Sequence, residues 1–106
     1  MYELRHYRDV AGRDLYQRWY DTLRDRQAKL RILQRVNRMT EGHFVDHKPC
    51  RNGVWELRID YGPGYRVYYA KTGATILLLL AGGHKHRQAE DIDRATQLLA
   101  DYQRRS

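Results

Sequence analysis

Cysteine, serine and phenylalanine each occur once in this chain of 106 residues, and proline only twice. A lone Cys50 permits neither an intramolecular disulfide nor a thiolate cluster for zinc, which excludes a secreted disulfide scaffold and points to a reducing, cytoplasmic setting. Ser106, at the last position, is the only serine, so a serine nucleophile is excluded. The longest apolar run, Ile76 to Ala81, has six residues, far short of the ~20 that a spanning helix requires. The stretch from Met1 to Arg8 lacks the apolar centre of an export signal, and no membrane association is expected. No glycine loop of the P-loop or dinucleotide type is present. The length allows one small domain, residues 1–106, and excludes a large multidomain enzyme.

What the chain does have is positive charge. Twenty Lys and Arg face thirteen Asp and Glu, a net charge of +7 with a pI near 9.8. Between positions 24 and 38 stand Arg24, Arg26, Lys29, Arg31, Arg35 and Arg38, opposed only by Asp25. Such a surface favours an anionic partner, either nucleic acid or an acidic protein. A solvated helix face is the bland alternative.

The hydrophobic pattern divides the chain into halves. Tyr2, Leu4 and His6 alternate with Glu3 and Arg5, as in a short strand. After Gly12 and Asp14, the spacing of Leu15, Trp19 and Leu23 predicts a helix. A second helix is expected from about Gln27 to Thr40, with Leu30, Ile32, Leu33, Val36 and Met39 inward and Arg31, Arg35 and Arg38 on another side. Gly42 is its expected stop. The period then changes from helical to alternating. Trp55, Leu57, Ile59 and Tyr61 alternate with polar residues, Gly62-Pro63-Gly64 forms a turn, and Tyr65, Val67 and Tyr69 resume the alternation. Keeping both apolar sets on one face, the expected register sets Ile59 opposite Val67, Leu57 opposite Tyr69, Arg58 opposite Tyr68 and Asp60 opposite Arg66. Ala74 to Ala81 reads as a central strand covered on both sides, and Ala89 to Tyr102 as a terminal amphipathic helix. The sum is an α+β domain in which an N-terminal strand and a two-helix hairpin pack on one face of a mostly antiparallel sheet of four or five strands. The opposite face is expected to be free.

Three features fall on that face or its rim. Arg58, Arg66 and Tyr68 share the polar side of the hairpin. Arginine's planar fork suits a phosphodiester, although Asp60 and Glu56 can equally neutralise these cations in a solvated face. Gly82-Gly83 leads into His84, Lys85, His86 and Arg87, a run that can exchange protons near neutrality or merely cap the last helix. His84 and His86 lack a third metal ligand at a recognisable spacing, so no metal is expected. Nine tyrosines are present, four of them (Tyr61, Tyr65, Tyr68 and Tyr69) around the hairpin. Most suit packing, but one on an open face can stack on an unpaired base. Together these features point to handling of RNA phosphate. Cys50 reads as an inert thiol.

The segment from Gly53 to Tyr69 (GVWELRIDYGPGYRVYY), followed by Ile76 to Lys85 (ILLLLAGGHK), resembles the RelE/ParE superfamily of bacterial toxins. Within it, the chain is most similar to the HigB-like addiction module killer branch. The helix pair and the start of the last helix, QAEDIDRA from Gln88, also fit, and LRIDYGPGYRV is the specific part. The resemblance implies a RelE-like fold and a toxin of a type II toxin–antitoxin system. Such a toxin cuts mRNA in the ribosomal A site without metal or other cofactor, by attack of a ribose 2′-hydroxyl on the adjacent phosphate. The matching positions are Arg58 and Arg66, which would steady the phosphorane charge. Lys85, or His84 or His86 beside it, would move the protons, with Tyr68 as a further candidate. Arg31, Arg35, Arg38, Lys48, Arg51, Lys71 and Arg87 are the expected RNA contacts. Relatives in this branch often carry an acidic residue in place of His84, so the histidines are a departure from the pattern.

The partners so implied are a cognate antitoxin, a small helix-turn-helix protein, together with the ribosome and mRNA; operator DNA would be met only through the antitoxin complex. Two alternatives accompany this reading. One is a ParE-like gyrase inhibitor without nuclease activity, and the other an inert protein that only binds antitoxin or operator.

Overall fold

A computed structural model describes all residues, 1–106. The chain runs β1 (Glu3–His6), α1 (Leu15–Thr22), α2 (Arg26–Thr40), β2 (His47–Pro49), β3 (Trp55–Ile59), β4 (Tyr65–Thr72), β5 (Ile76–His84), a 3₁₀ turn (Lys85–Arg87) and α3 (Gln88–Arg105). The strands form one mixed sheet in the order β1-β5-β4-β3-β2. Only the β1–β5 pairing is parallel.

Local chemistry explains where the helices begin and end. Asp14 caps α1 by accepting from the Gln17 amide at 3.0 Å, and Asp25 caps α2 by accepting from the amides of Gln27 and Ala28. Each satisfies donors that a first helical turn leaves without partners. Gly42, at φ +87°, stops α2 as expected, its amide donating back to the Met39 carbonyl. On α2 the buried line is Ala28, Ile32, Val36 and Met39. Leu30 and Leu33, expected inward, lie outside that line and are about half exposed, at 48% and 46%.

The sheet is covered on both faces, not on one. Tyr16 of α1 and Ile32, Val36 and Met39 of α2 pack on Leu57, Ile59, Val67, Tyr69, Leu77 and Leu79. On the opposite face Ala95 and Leu99 of α3 pack on Val54, Tyr68, Ala70, Leu78, Leu80 and Tyr7. The expected free face is therefore largely occupied by α3. The reason lies in β4 and β5, where every residue from Val67 to Ala70 and from Leu77 to Ala81 is buried. Such strands bury side chains in both directions and need a layer on each side.

The hairpin register is also two residues tighter than expected. Leu57 faces Val67, Arg58 faces Arg66, Ile59 faces Tyr65 and Glu56 faces Tyr68. The Gly64 amide donates to the Tyr61 carbonyl at 3.1 Å, and the positive φ of Gly62 and Gly64 lets the chain reverse within this short loop. Because the shift is even, each side chain keeps its face while its neighbour across the ladder changes. A short β2, which the pattern did not reveal, extends the sheet beside β3.

Candidate functional site

The tight register sets two arginines directly opposite one another, an arrangement that costs free energy unless each finds a countercharge. Each does. Arg58 Nε donates to Asp46 Oδ1 at 3.2 Å, and Arg66 Nη1 donates to Glu56 Oε1 at 3.2 Å. Glu56 is completely buried, and its second oxygen accepts from Gln88 Nε2 of α3 at 2.8 Å. Arg66 itself is only 13% exposed at its side chain. Its Nε is buried without a partner.

A groove of about 270 Å³ is lined by Asp46, Arg58, Ile59, Asp60, Gly62, Gly64, Tyr65, Arg66 and Lys85. It gathers the three cations that the sequence singles out, Arg58, Arg66 and Lys85. Lys85 arrives from the end of β5. Its amide donates to the Gly64 carbonyl at 3.0 Å, and its stem runs so close to Gly64 that a Cβ there would lie 3.3 Å from Lys85 Cδ. Glycine at 64 thus satisfies both the turn and the passage of the lysine. The arrangement presents three cations, with carboxylates at the rim, to a ligand carrying anionic oxygens.

The other expected site residues are distributed differently. Tyr68 does not project with the arginines: it is fully buried beneath α3, its hydroxyl has no partner, and burial pushes its pKa well up. A phenol in that place cannot touch a phosphate in the groove, which removes Tyr68 from the site. His84 turns away from the groove into a neighbouring cleft, and His86 is exposed, its ring centroid 5.8 Å from that of His84. No three of His, Cys, Asp and Glu are grouped so as to hold a metal ion. Of the two carboxylates expected beside the hairpin arginines, Glu56 pairs with Arg66, whereas Asp60 makes no ion pair. Asp46 and Gln88, which no sequence pattern marks, complete the support. Asp46 lies in a loop at φ +50° and Gln88 starts a helix far along the chain. Neither position announces its role.

The wider set of expected RNA contacts does not form one surface. Arg35 donates to the Arg58 carbonyl at 3.0 Å and to the Val45 carbonyl, clamping α2 to the sheet, and burial lowers its pKa. Arg31 lies over the Tyr61 ring at 4.7 Å, while Arg38 is exposed. Lys71, though exposed, sets its ammonium over the rings of Phe44, Trp55 and Tyr2, at 4.3, 5.3 and 6.0 Å from the centroids. Arg51 pairs with Asp93, and Arg87 with Glu90 at 2.9 Å. Lys48 is exposed on β2, the edge strand. Arg35 is therefore committed to structure. Cys50 is half-buried, and burial pushes its thiol pKa up, which suits an unreactive side chain.

Fold and groove together define a small α+β domain with a cationic groove at the β3–β4 end of its sheet. No family model matches the chain. It is 41% identical over 80 residues to an uncharacterized protein of Haemophilus influenzae, a match covering 76% of this chain and 81% of that one. The chain belongs to the family of that protein.

Proposed function

We propose that this protein is the toxin of a type II toxin–antitoxin pair, a RelE-like, HigB-like endoribonuclease that cuts mRNA on the ribosome without a metal ion. The observation that carries the reading is the convergence of Arg58, Arg66 and Lys85 on one groove.

In this reading a 2′-oxygen attacks the adjacent phosphorus, the bond to the 5′-oxygen breaks, and a 2′,3′-cyclic phosphate and a 5′-hydroxyl result. Charge accumulates on the non-bridging oxygens as the phosphorane forms. Arg58 and Arg66, already held by Asp46 and Glu56, meet that charge with little reorganisation. Lys85 is the remaining cation in the groove and delivers the proton to the departing 5′-oxygen. The 2′-proton is taken up by a carboxylate of the rim or by water. His84 and His86 have no part in this scheme, since neither lines the groove.

Expression without an antitoxin tests the reading. Growth arrest accompanied by new 5′-hydroxyl ends within translated mRNA supports it. Arrest with double-strand DNA breaks would identify a gyrase poison instead, and unimpeded growth would leave only a binding role.

A further inference from the structure

A second cleft, larger than the groove, opens where β1 ends. β1 pairs with β5 only from Ile76 to Leu79, so beyond that point β5 has a bare edge. The cleft over this edge measures about 540 Å³. Arg13 with Leu15, Arg18, Trp19 and Thr22 of α1 forms one wall, and Arg87 with Asp91 and Arg94 of α3 forms the other. Its floor is Ala81 to His84, including two glycines.

Those glycines permit the shape. A Cβ on Gly82 would lie 2.1 Å from Trp19 Cε3, and one on Gly83 would lie 2.0 Å from Asp91 Oδ2. Trp19 and Asp91 therefore close on the strand from opposite faces and bring their helices' arginines with them. Arg13 is paired with Asp9 at 2.8 Å and Arg87 with Glu90 at 2.9 Å. Arg18 and Arg94, on opposite walls, make neither an ion pair nor a side-chain hydrogen bond. His84 Nδ1 on the floor and Asp91 Oδ2 on the α3 wall are buried without partners.

We propose that this cleft is a nucleotide subsite for single-stranded RNA: Arg18 and Arg94 hold backbone phosphate, the Trp19 wall receives a base, and Asp91 accepts from a ribose hydroxyl. The assignment rests on reading the neighbouring groove as an RNA site. The two are adjacent, since the consecutive residues His84 and Lys85 line the cleft and the groove respectively. A strand whose scissile phosphate occupies the groove thus has its flanking nucleotide within reach of the cleft. Unpaired guanidinium forks on facing walls suit phosphate, and an aromatic side chain beside them suits a base. The Trp19 wall favours a nucleotide over an acidic polypeptide, since glutamate side chains carry no ring to stack on the indole.

The test uses the intact protein labelled with nitrogen-15, titrated with the pentaribonucleotide UUUUU, with inorganic phosphate and with pentaglutamate. For the RNA, saturable shifts are expected at the Gly82 and Gly83 amides and the Trp19 indole. Arg18→Gln combined with Arg94→Gln should weaken binding roughly tenfold. The double variant should also lower the slope of log affinity against log salt by about 0.7 for each phosphate that is no longer neutralised. Neither side chain has a partner in the fold, and an unchanged amide spectrum verifies that the variant is folded. Shifts confined to Arg58, Arg66 and Lys85 would overturn the subsite and leave the groove standing. Shifts confined to the cleft would sustain the nucleotide site and remove the groove. Tighter binding of pentaglutamate than of RNA, equal binding of phosphate and RNA, or no shifts at all would each overturn the proposal.

Discussion

Glu56 is the one charged residue that the fold buries completely, and its partners explain why it is tolerated there. Arg66 supplies a countercharge and Gln88 a second donor. Removing one member of a buried pair leaves the other without compensation. Glu56→Ala is therefore expected to lower the unfolding free energy by about 3 kcal/mol, and Arg66→Ala by a similar amount. The double variant should lose much less than the sum, because the pair fails as a unit. Urea denaturation of the three variants measures this; additive losses would show that the two side chains are not coupled. From the sequence alone Arg66→Ala reads as a change that abolishes toxicity while leaving the protein folded. The structure makes it a poor probe of activity, and Arg66→Lys or Lys85→Gln a better one.

Asp91 behaves in the opposite sense to a well-paired acid. Burial, aided by Glu90, raises its pKa more than Arg87, His84 and Arg94 lower it. With the folded pKa above the unfolded one, the native state holds the proton more tightly, so stability falls as pH rises through the folded value. The contribution is fully present only below the ordinary aspartate range, about pH 4. Asp91→Asn is accordingly expected to melt higher than wild type at pH 7, with the difference vanishing toward pH 3. A variant less stable by the same margin at both pH values would overturn this.

Among the elements, β5 does the most to position function. Its first half is roofed on both faces and its edge is covered by β1; its second half carries the two glycines on which Trp19 and Asp91 close. Gly82→Ala drives a methyl group into the indole and is expected to cost about 2 kcal/mol. In a Trp19→Ala background the same glycine change should cost much less, a coupling that thermal unfolding of the single and double variants reads directly. An unchanged cost would mean that the glycine serves some purpose other than admitting the indole.

Strand and helix identities were legible because their periods are strong, and so was the stop at Gly42. The β3–β4 register was not, because alternation fixes which face a side chain takes but leaves shifts of two residues open; the Tyr61–Gly64 turn decides between them. The second helical layer was announced by the apolar β5 yet obscured by the polar Glu56, Arg58 and Arg66, which suggested a bare face. Arg58, Arg66 and Lys85 were readable as a set. Tyr68 was misplaced because a tyrosine reads alike whether its ring is buried or exposed. Glu56 was visible only as a neutralising partner on a solvated face, since a glutamate in alternation gives no sign that a helix from the far end of the chain will cover it.

At the scale of the molecule, the net charge of +7 is divided among three tasks. Some cations hold the fold together: Arg35 ties α2 to the sheet, and the Lys71 ammonium lies over aromatic rings. A second group, Arg58, Arg66 and Lys85, faces the groove. A third, with Arg18 and Arg94 unpaired, lines the cleft beside it. Charge that composition presents as one property is thus separated by topology among scaffold, groove and cleft, and both groove and cleft adjoin the end of β5.

Whether the groove cuts RNA is decided by primer extension on an mRNA translated in a purified system, with wild type, Arg66→Lys and Lys85→Gln added in turn. The wild type is expected to make ribosome-dependent cuts that persist in excess chelator. Cutting is expected to fall by at least about a hundredfold in Lys85→Gln, in the range ascribed to general acid–base catalysis, and by a comparable factor in Arg66→Lys, with both variants folded. An uncut message with the wild type, or full cutting by both variants, would refute a catalytic groove.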